Sequence, residues 1–146
     1  MLAPLWLAVT MSFVDPTGAK VTLDQPGMLY MVDFWAEGCG PCLKEMPDLE
    51  RLAAELEPTG RFKLVSVVWG GWKGAQLTDL AERRGIHRPL HADPDGWLDR
   101  VARPVFPTKV LVRDGVILQS REGGGRGAYD YWKAAVDRML APTDKR

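Results

Sequence analysis

Two cysteines carry the clearest chemical signal in this chain. Cys39 and Cys42 are separated by Gly40 and Pro41, and the 146-residue sequence contains no other cysteine. A disulfide that closes so short a loop adds little stability, which argues against a structural bridge. The C-x-x-C spacing instead predicts reversible exchange of two electrons between a dithiol and a disulfide.

Metal binding is the first alternative for the cysteine pair. A structural zinc site needs about four ligands, and His87 and His91 are the only histidines, with no second cysteine motif near them. We expect a simple polar or surface role for both histidines. Two thiolates suffice for a soft ion such as Cu(I), so a copper carrier stays open as an alternative function. A non-catalytic scaffold with a structural Cys39–Cys42 disulfide is also open.

The cysteines lie where a buried strand is predicted to meet a helix. The run 28–35 is β-rich and apolar on both faces except for Asp33, which is typical of a central strand. Between Pro41 and about Leu56, apolar residues recur at spacings of three and four, which predicts an amphipathic helix. The cysteine motif therefore opens this helix.

A helix N-terminus favours a thiolate over a thiol because its free backbone N–H groups and its dipole are positive. Cys39 is therefore the predicted nucleophile. Cys42, one helical turn along, is placed to attack the mixed disulfide that Cys39 forms with a client. Pro41 suits the first turn, where no N–H is needed, and Gly40 lets another chain approach the sulfur closely.

The rest of the chain alternates between strand-like and helix-like segments. We predict a first strand over 5–12, a hairpin over 13–23, strands over 62–69 and 89–91, helices over 75–84 and 97–102, a hairpin over 108–120 and a closing helix over 129–140. A βαβ half followed by a ββα half predicts an α/β fold with a central mixed β-sheet flanked by helices on both faces. No repeat or linker interrupts this order, so we expect one domain over 1–146.

Charge and hydropathy narrow the choice of partners and compartment. Lys plus Arg and Asp plus Glu number 19 each, so no net charge attracts nucleic acid or anionic lipid. The opening 1–10 is apolar, but it carries no Lys or Arg and is too short to span a membrane. We expect a cytoplasmic protein as written, or an extracytoplasmic (periplasmic) one if a signal or anchor has been removed.

The residues around the cysteines resemble the thioredoxin superfamily. The stretch 32–37, Val-Asp-Phe-Trp-Ala-Glu, is similar to the thioredoxin active-site strand. The stretch 43–49, Leu-Lys-Glu-Met-Pro-Asp-Leu, is similar to the TlpA/ResA-type branch of bacterial thiol-disulfide proteins, as are the hairpin, the insertion at 91–96 and the segment 106–108. The resemblance implies a thioredoxin fold with an N-terminal β-hairpin extension and an insertion before a cis-proline.

The resemblance also implies a client-binding groove. Pro107 would be cis and face the cysteines, with the Phe106 backbone presented to a client strand and with Gly40, Pro41 and Trp35 completing the surface. A turn proline at the start of a strand is the other explanation for Pro107. Phe106 is bulkier than the aliphatic residue usual there, which would narrow the groove or help to grip a hydrophobic client.

Some residues near the groove depart from the thioredoxin pattern or have two explanations. Gly38 stands where thioredoxins commonly carry a second tryptophan, and the segment 103–105 lacks the glycine that usually leads to the cis-proline. Trp69 and Trp72, which bracket two glycines after a predicted strand, form either a client-binding wall or ordinary loop packing.

Asp33 is the third predicted catalytic residue. An acid in an apolar central strand has a raised pKa if it stays unpaired. By resemblance to thioredoxin, Asp33 would lie behind Cys42 and act as its proton acceptor and donor. A structural ion pair with Lys63 of the neighbouring strand is the alternative, and the two roles are compatible.

The predicted function is a thiol:disulfide oxidoreductase that needs no cofactor beyond its redox-active cysteine pair. Gly-Pro between the cysteines resembles the reducing end of the superfamily, at about −270 mV, and not the oxidising end at about −120 mV. The resemblance suggests clients such as apocytochrome c or copper-site proteins. We expect an upstream thiol electron donor, a monomer and no nucleic-acid partner. A general cytoplasmic thioredoxin fits the hairpin and the insertion less well, and a peroxidase would need another cysteine motif.

Overall fold

The computed structural model describes residues 10–124 and 127–142. In chain order the elements are β1 (Ser12–Val14), β2 (Lys20–Thr22), β3 (Leu29–Ala36), α1 (Gly40–Leu56), β4 (Phe62–Trp69), α2 (Ala75–Arg83), β5 (Leu90–His91), α3 (Trp97–Val101), β6 (Thr108–Arg113), β7 (Val116–Glu122) and α4 (Ala128–Leu140). This order confirms the predicted βαβ and ββα halves. None of the helices in the described ranges is both long and apolar enough to cross a membrane.

The main sheet has five strands in the order β5-β4-β3-β6-β7. Strands β3, β4 and β5 run parallel, whereas β6 is antiparallel to β3 and to β7. The sheet is therefore mixed, as predicted, and β3 is its central strand. This register pairs Asp33 of β3 with Ser66 on one side and with Lys109 on the other.

The two faces of β3 pack against different layers because alternate side chains point to opposite sides of a strand. Leu29 and Met31 belong to the core beneath α1 and α4. Val32 and Phe34 belong to a second core, which Phe13 and Trp97 cover from the opposite face. Burial on both faces explains why the strand is apolar along nearly its whole length.

The N-terminal hairpin is formed by β1 and β2 and is docked on the second core. Asp15 begins the turn, and its Oδ1 accepts hydrogen bonds from the backbone N–H of Thr17 at 2.8 Å and of Ala19 at 3.1 Å. Of the strand predicted over 5–12, residues 5–9 lie outside the described residues, and 10–11 lie outside any strand. Only Ser12 is in a strand, because the chain is first paired where β2 faces it.

Helix α1 begins and ends where local chemistry dictates. Cys39 is its N-cap, and Pro41 occupies the first turn, where its missing N–H costs nothing. After Leu56 the chain tightens into one 3₁₀ turn at Glu57–Thr59. Gly60 then takes a left-handed φ of +73°, which ends the helical run and leads into β4.

Candidate active site

Cys39 and Cys42 form a disulfide at the N-terminus of α1, with their Cα atoms 5.3 Å apart. The sulfur of Cys39 accepts a hydrogen bond from the backbone N–H of Cys42 at 3.2 Å. The Cys39 side chain is half-buried, whereas Cys42 is only 1 % exposed. An incoming thiol or disulfide can therefore reach Cys39 and not Cys42.

The charges around Cys39 favour a thiolate when the disulfide is reduced. The first turn of α1 has no acidic residue that would oppose the positive end of the helix dipole. Glu37, two residues before Cys39, is paired with Arg84. Hydrogen bonding from Arg84 holds the pKa of the Glu37 carboxyl below its ordinary value, so its negative charge is compensated locally.

The loop before β6 lies beside the cysteines. The Phe106–Pro107 peptide bond is cis, as the resemblance implied. The Pro107 carbonyl accepts a hydrogen bond from Gly123 N–H at 2.7 Å, and Thr108 Oγ1 donates to the Val105 carbonyl at 2.7 Å. Phe106 is half-buried and packs against the cluster of apolar side chains that contains Cys42.

A groove of about 620 Å³ opens next to this loop, between the end of β4 and the segment after β5. Trp69, Gly70, Gly71 and Trp72 line one part of it. The Trp69 ring lies 5.6 Å from the Phe106 ring and is 58 % exposed, while Trp72 is half-buried. Trp69 is thus exposed beside the groove, whereas Trp72 packs partly against the apolar cluster that contains Cys42.

Trp35 does not line an accessible surface. Its side chain is completely buried in the cluster with Cys42, and its Nε1–H donates a hydrogen bond to Ser66 Oγ at 2.9 Å. The expectation that Trp35 contacts a client is therefore corrected. Because β3 is covered on both faces, even its last aromatic side chain packs inside the molecule.

Asp33 is buried, and its cationic neighbour differs from the predicted one. Lys63 is exposed and lies opposite Tyr30 in the register, so the predicted Asp33–Lys63 pair is wrong. Lys109 of β6 takes that place, with Nζ 3.4 Å from Asp33 Oδ1. That oxygen accepts no hydrogen bond from any described residue. Burial raises the pKa of the Asp33 carboxyl above its ordinary value, although Lys109 opposes the rise.

Glu45 is a buried acid that no sequence prediction identified. It lies on α1 three residues after Cys42, and Lys109 Nζ donates a hydrogen bond to its Oε2. A usable signal existed, because Glu45 falls three residues from Cys42 and four from Leu49 on the apolar face of the helix. Lys109 carried a similar signal as a charge directly before the apolar run 110–112 of β6.

His91 is also more buried than predicted. It is 8 % exposed, and its Nδ1 lies 3.3 Å from the Ser66 carbonyl. Burial lowers the pKa of its imidazole. Among the residues that the structure describes, no group of three His, Cys, Asp or Glu side chains could hold a metal ion.

Two curated relatives are similar to the chain. The thiol-disulfide oxidoreductase ResA of Halalkalibacterium halodurans is 27% identical over 122 residues, which are 80% of this chain and 67% of the relative. A thiol:disulfide interchange protein DsbE homologue of Paracoccus denitrificans is 34% identical over 93 residues, 64% of this chain and 48% of the relative. The chain thus spans about two thirds of the first relative and about half of the second. No family model matches it.

Solved structures decide the fold. The exposed lipoprotein thioredoxin of Streptococcus pneumoniae superposes with a TM-score of 0.72 at 21% identity, covering 89% of this chain and 99% of that one. The chain has the thioredoxin fold and resembles the TlpA/ResA type of thiol-disulfide oxidoreductase. Its curated relatives are named as thiol-disulfide proteins, and they support a thioredoxin-like oxidoreductase activity for this chain. The Cys39–Cys42 pair lies at disulfide distance, as a C-x-x-C redox site requires.

Proposed function

We propose that the protein reduces disulfides in client proteins through Cys39 and Cys42. The observation that carries the proposal is the unequal exposure of the two sulfurs at the N-terminus of α1. Cys39 is accessible at the positive end of the helix dipole, which favours a thiolate once the disulfide is reduced, whereas Cys42 is buried. This arrangement suits an attacking thiol followed by a resolving thiol.

The exchange proceeds in two displacements. The Cys39 thiolate attacks one sulfur of the client disulfide, which forms a Cys39–client mixed disulfide and releases the other client sulfur as a thiolate. Cys42 then loses its proton and attacks the Cys39 sulfur, which releases the second client thiolate. The client gains two electrons, and the protein is left with the Cys39–Cys42 disulfide.

The second displacement requires a proton acceptor because Cys42 is a thiol inside an apolar cluster. Asp33 is the acceptor we propose, in line with its burial on the face of β3 that α1 covers. Its raised pKa suits this role, since a general base works best when its pKa lies near the operating pH. The same carboxyl returns the proton to Cys42 when a donor reduces the disulfide.

The client binds, in this proposal, across the surface between the start of α1 and the cis-proline loop. Gly40 and Pro41 are exposed beside Cys39, and Phe106 is half-buried next to the exposed ring of Trp69. Gly40 has open space where a side chain would stand, so a client backbone can approach the sulfur. The aromatic pair would contact apolar side chains that flank the client cysteine.

The compartment we propose is extracytoplasmic. Disulfides in client proteins persist in oxidising environments, which is where a reductant of this kind has substrates. One structural relative is an exposed lipoprotein. An upstream thiol protein would then have to deliver the electrons.

Cysteine variants test the mechanism. Cys39→Ser should abolish reduction of insulin disulfides by the dithiothreitol-regenerated protein, because no other thiol is accessible. Cys42→Ser should instead accumulate a Cys39–insulin mixed disulfide that mass spectrometry detects. Equal mixed-disulfide yields through either cysteine would contradict the assigned order of attack.

The reduction potential tests the direction of transfer. Equilibration against dithiothreitol or glutathione buffers should give the Cys39–Cys42 pair a reduction potential of about −270 mV if the protein is a reductant. A potential of about −120 to −180 mV would indicate an oxidant or isomerase. Stoichiometric Cu(I) binding by the reduced protein without insulin reduction would favour the copper carrier.

A further inference from the structure

A groove of about 620 Å³ lies between the end of β4 and the segment after β5, and we call it the Trp69 groove. It is lined by Val14, Val68 and the segments 69–73 and 92–94. Trp72 and Ala92 of this lining pack on the apolar cluster that contains Cys42. Cys39 packs on the same cluster, so a client joined to Cys39 can extend into the groove.

The surface of the Trp69 groove is largely apolar. The exposed Trp69 ring lies beside the Phe106 ring, and Val14, Ala92 and Pro94 add aliphatic atoms to the lining. The volume of the groove falls within the range of about 300–1,000 Å³ that is usual for ligand pockets. The groove therefore has room for an apolar side chain of a client.

Two charged side chains line the Trp69 groove, and only one of them lacks a partner. Asp93 Oδ1 accepts a hydrogen bond from Trp97 N–H at 2.8 Å, and its Oδ2 accepts one from Leu98 N–H at 3.0 Å. This carboxylate is thus engaged at the start of α3. Lys73 is exposed, and its ammonium forms no ion pair or hydrogen bond within the part of the chain that the structure describes.

The indole of Trp72 brings a second hydrogen-bond donor to the groove. Its Nε1 lies 3.3 Å from the point where a Cβ would stand on Gly70, so the polar edge of the ring is turned toward the Gly70 backbone. Within residues 10–124 and 127–142, no oxygen accepts a hydrogen bond from this N–H. The side chains of the groove therefore offer free donors and a carboxylate that is already bound.

This arrangement complements an anion better than a cation. A client ammonium would be repelled by Lys73 and would find both oxygens of Asp93 occupied. A client carboxylate would gain a charge-assisted hydrogen bond to Lys73, which is stronger than a bond between neutral groups. The carboxylate of Asp or Glu is the anion that the side chains of a client protein supply.

We propose that the Trp69 groove selects clients that carry an apolar residue and an acidic residue close to the disulfide cysteine. The apolar side chain lies against Trp69, and Lys73 pairs with the neighbouring carboxylate. Trp69 and Lys73 are then specificity-determining residues that contact the client away from the reacting sulfurs. The inference rests on the proposed function and deepens it, because it states the chemistry of the client.

Peptide disulfides that differ in one residue test this preference. Each probe is a disulfide-linked homodimer of a blocked peptide with Phe beside its single Cys and with Glu, Gln or Lys beyond the Phe. One series has these residues before the Cys, and the other has them after it. The second-order rate of reduction by the reduced, dithiothreitol-free protein is measured by chromatography of the released peptide thiol. In one of the series, we expect the Glu peptide to react about 1.5- to 5-fold faster than the Lys peptide.

Charge reversal at Lys73 should reverse this order. The matched control is Lys63→Glu, which makes the same change at an exposed position near the start of β4, whereas the groove lies at the end of that strand. We expect the Lys peptide to react faster with Lys73→Glu, and the wild-type order to persist in Lys63→Glu. Added salt should bring the wild-type ratio toward one, because exposed charges are screened.

Trp69→Ala tests the apolar part of the groove. The rate for the Phe peptides should fall by about 5- to 30-fold, as for other exposed aromatic residues that anchor a partner. The rate for matched peptides with Gly in place of Phe should change little. An equal fall for both sets of peptides would overturn the role of Trp69 in selection.

The outcomes separate this inference from the proposed function. Equal Glu-to-Lys rate ratios in wild type and Lys73→Glu would overturn the preference for a carboxylate and leave disulfide reduction intact. Failure of the wild type to reduce any of the peptides would contradict the proposed function itself. A wild type that sediments as a dimer, together with a monomeric Trp69→Ala, would show that a second copy covers the groove and would overturn the inference.

Discussion

The buried carboxyl group of Asp33 makes the stability of the folded protein depend on pH. The carboxyl loses hydration when β3 is covered, so its pKa in the folded protein lies above the ordinary value of 3.8 that the unfolded chain retains. The folded state then binds the proton more tightly than the unfolded state. The stabilisation from protonated Asp33 is complete below 3.8 and is lost as pH rises through the raised pKa.

Asp33→Asn should remove this dependence on pH. We expect the free energy of unfolding of the variant minus that of wild type to be larger at pH 8 than at pH 4, because only wild type has to bury a carboxyl group that ionises as pH rises. Urea unfolding at both pH values measures the difference, with exposed Asp24→Asn as the control. The same relative stability at the two pH values would refute the raised pKa.

At the scale of elements, the segment after β7 joins the cis-proline loop to α1. Gly123 N–H donates to the Pro107 carbonyl, and Gly124 lies between Pro107 and Glu45 of α1. Gly124 leaves no room for a side chain, since a Cβ would lie 2.9 Å from Glu45 Oε1 and 3.0 Å from Pro107 Cγ. Close packing therefore favours glycine at that point, because a larger residue would have to displace one of these neighbours.

Gly124→Ala should displace either the Glu45 carboxyl or the Pro107 ring. We expect a loss of about 1–3 kcal/mol of stability, as for other overpacked sites, together with slower insulin reduction. Thermal unfolding and the insulin assay measure both, and Ser120→Ala, exposed on β7, is the control. A gain of about 0.4–1 kcal/mol, the usual effect of Gly→Ala where space allows, would show that the neighbours yield.

At the scale of the molecule, the N-terminal hairpin is part of the core. Phe13 is fully buried and meets Phe34 of the central strand edge to face, with ring centroids 5.8 Å apart. Val14 at the end of β1 forms an antiparallel bridge with Ala92, which belongs to the insertion at 91–96. The hairpin therefore covers the face of the sheet opposite to α1.

Phe13→Ala should destabilise the whole protein without altering its chemistry. Loss of a buried ring costs about 3–5 kcal/mol. We expect this decrease in urea unfolding, while the reduction potential of the folded protein stays unchanged, and Val116→Ala at an exposed position serves as the control. A decrease below about 1 kcal/mol would mean that the hairpin is not integral to the core.

The sequence alone determined the order of elements and the place of the cysteines. Apolar spacing located α1 and β3 to within one residue, and the hairpin predicted over 108–120 corresponds to β6 and β7. These features depend on residues that are neighbours in the chain, which is why local periodicity, capping and turn chemistry sufficed. The single domain over 1–146 stays a prediction.

Only the tertiary structure decided which side chains surround the cysteines. Asp33 contacts Lys109 and not Lys63 because β6 pairs with β3 in a register that places Lys109 opposite Asp33. The two residues are 76 positions apart in the sequence. Trp35 is buried because helices and loops close over the end of β3. Such contacts depend on sheet order and helix docking, and no local pattern encodes them.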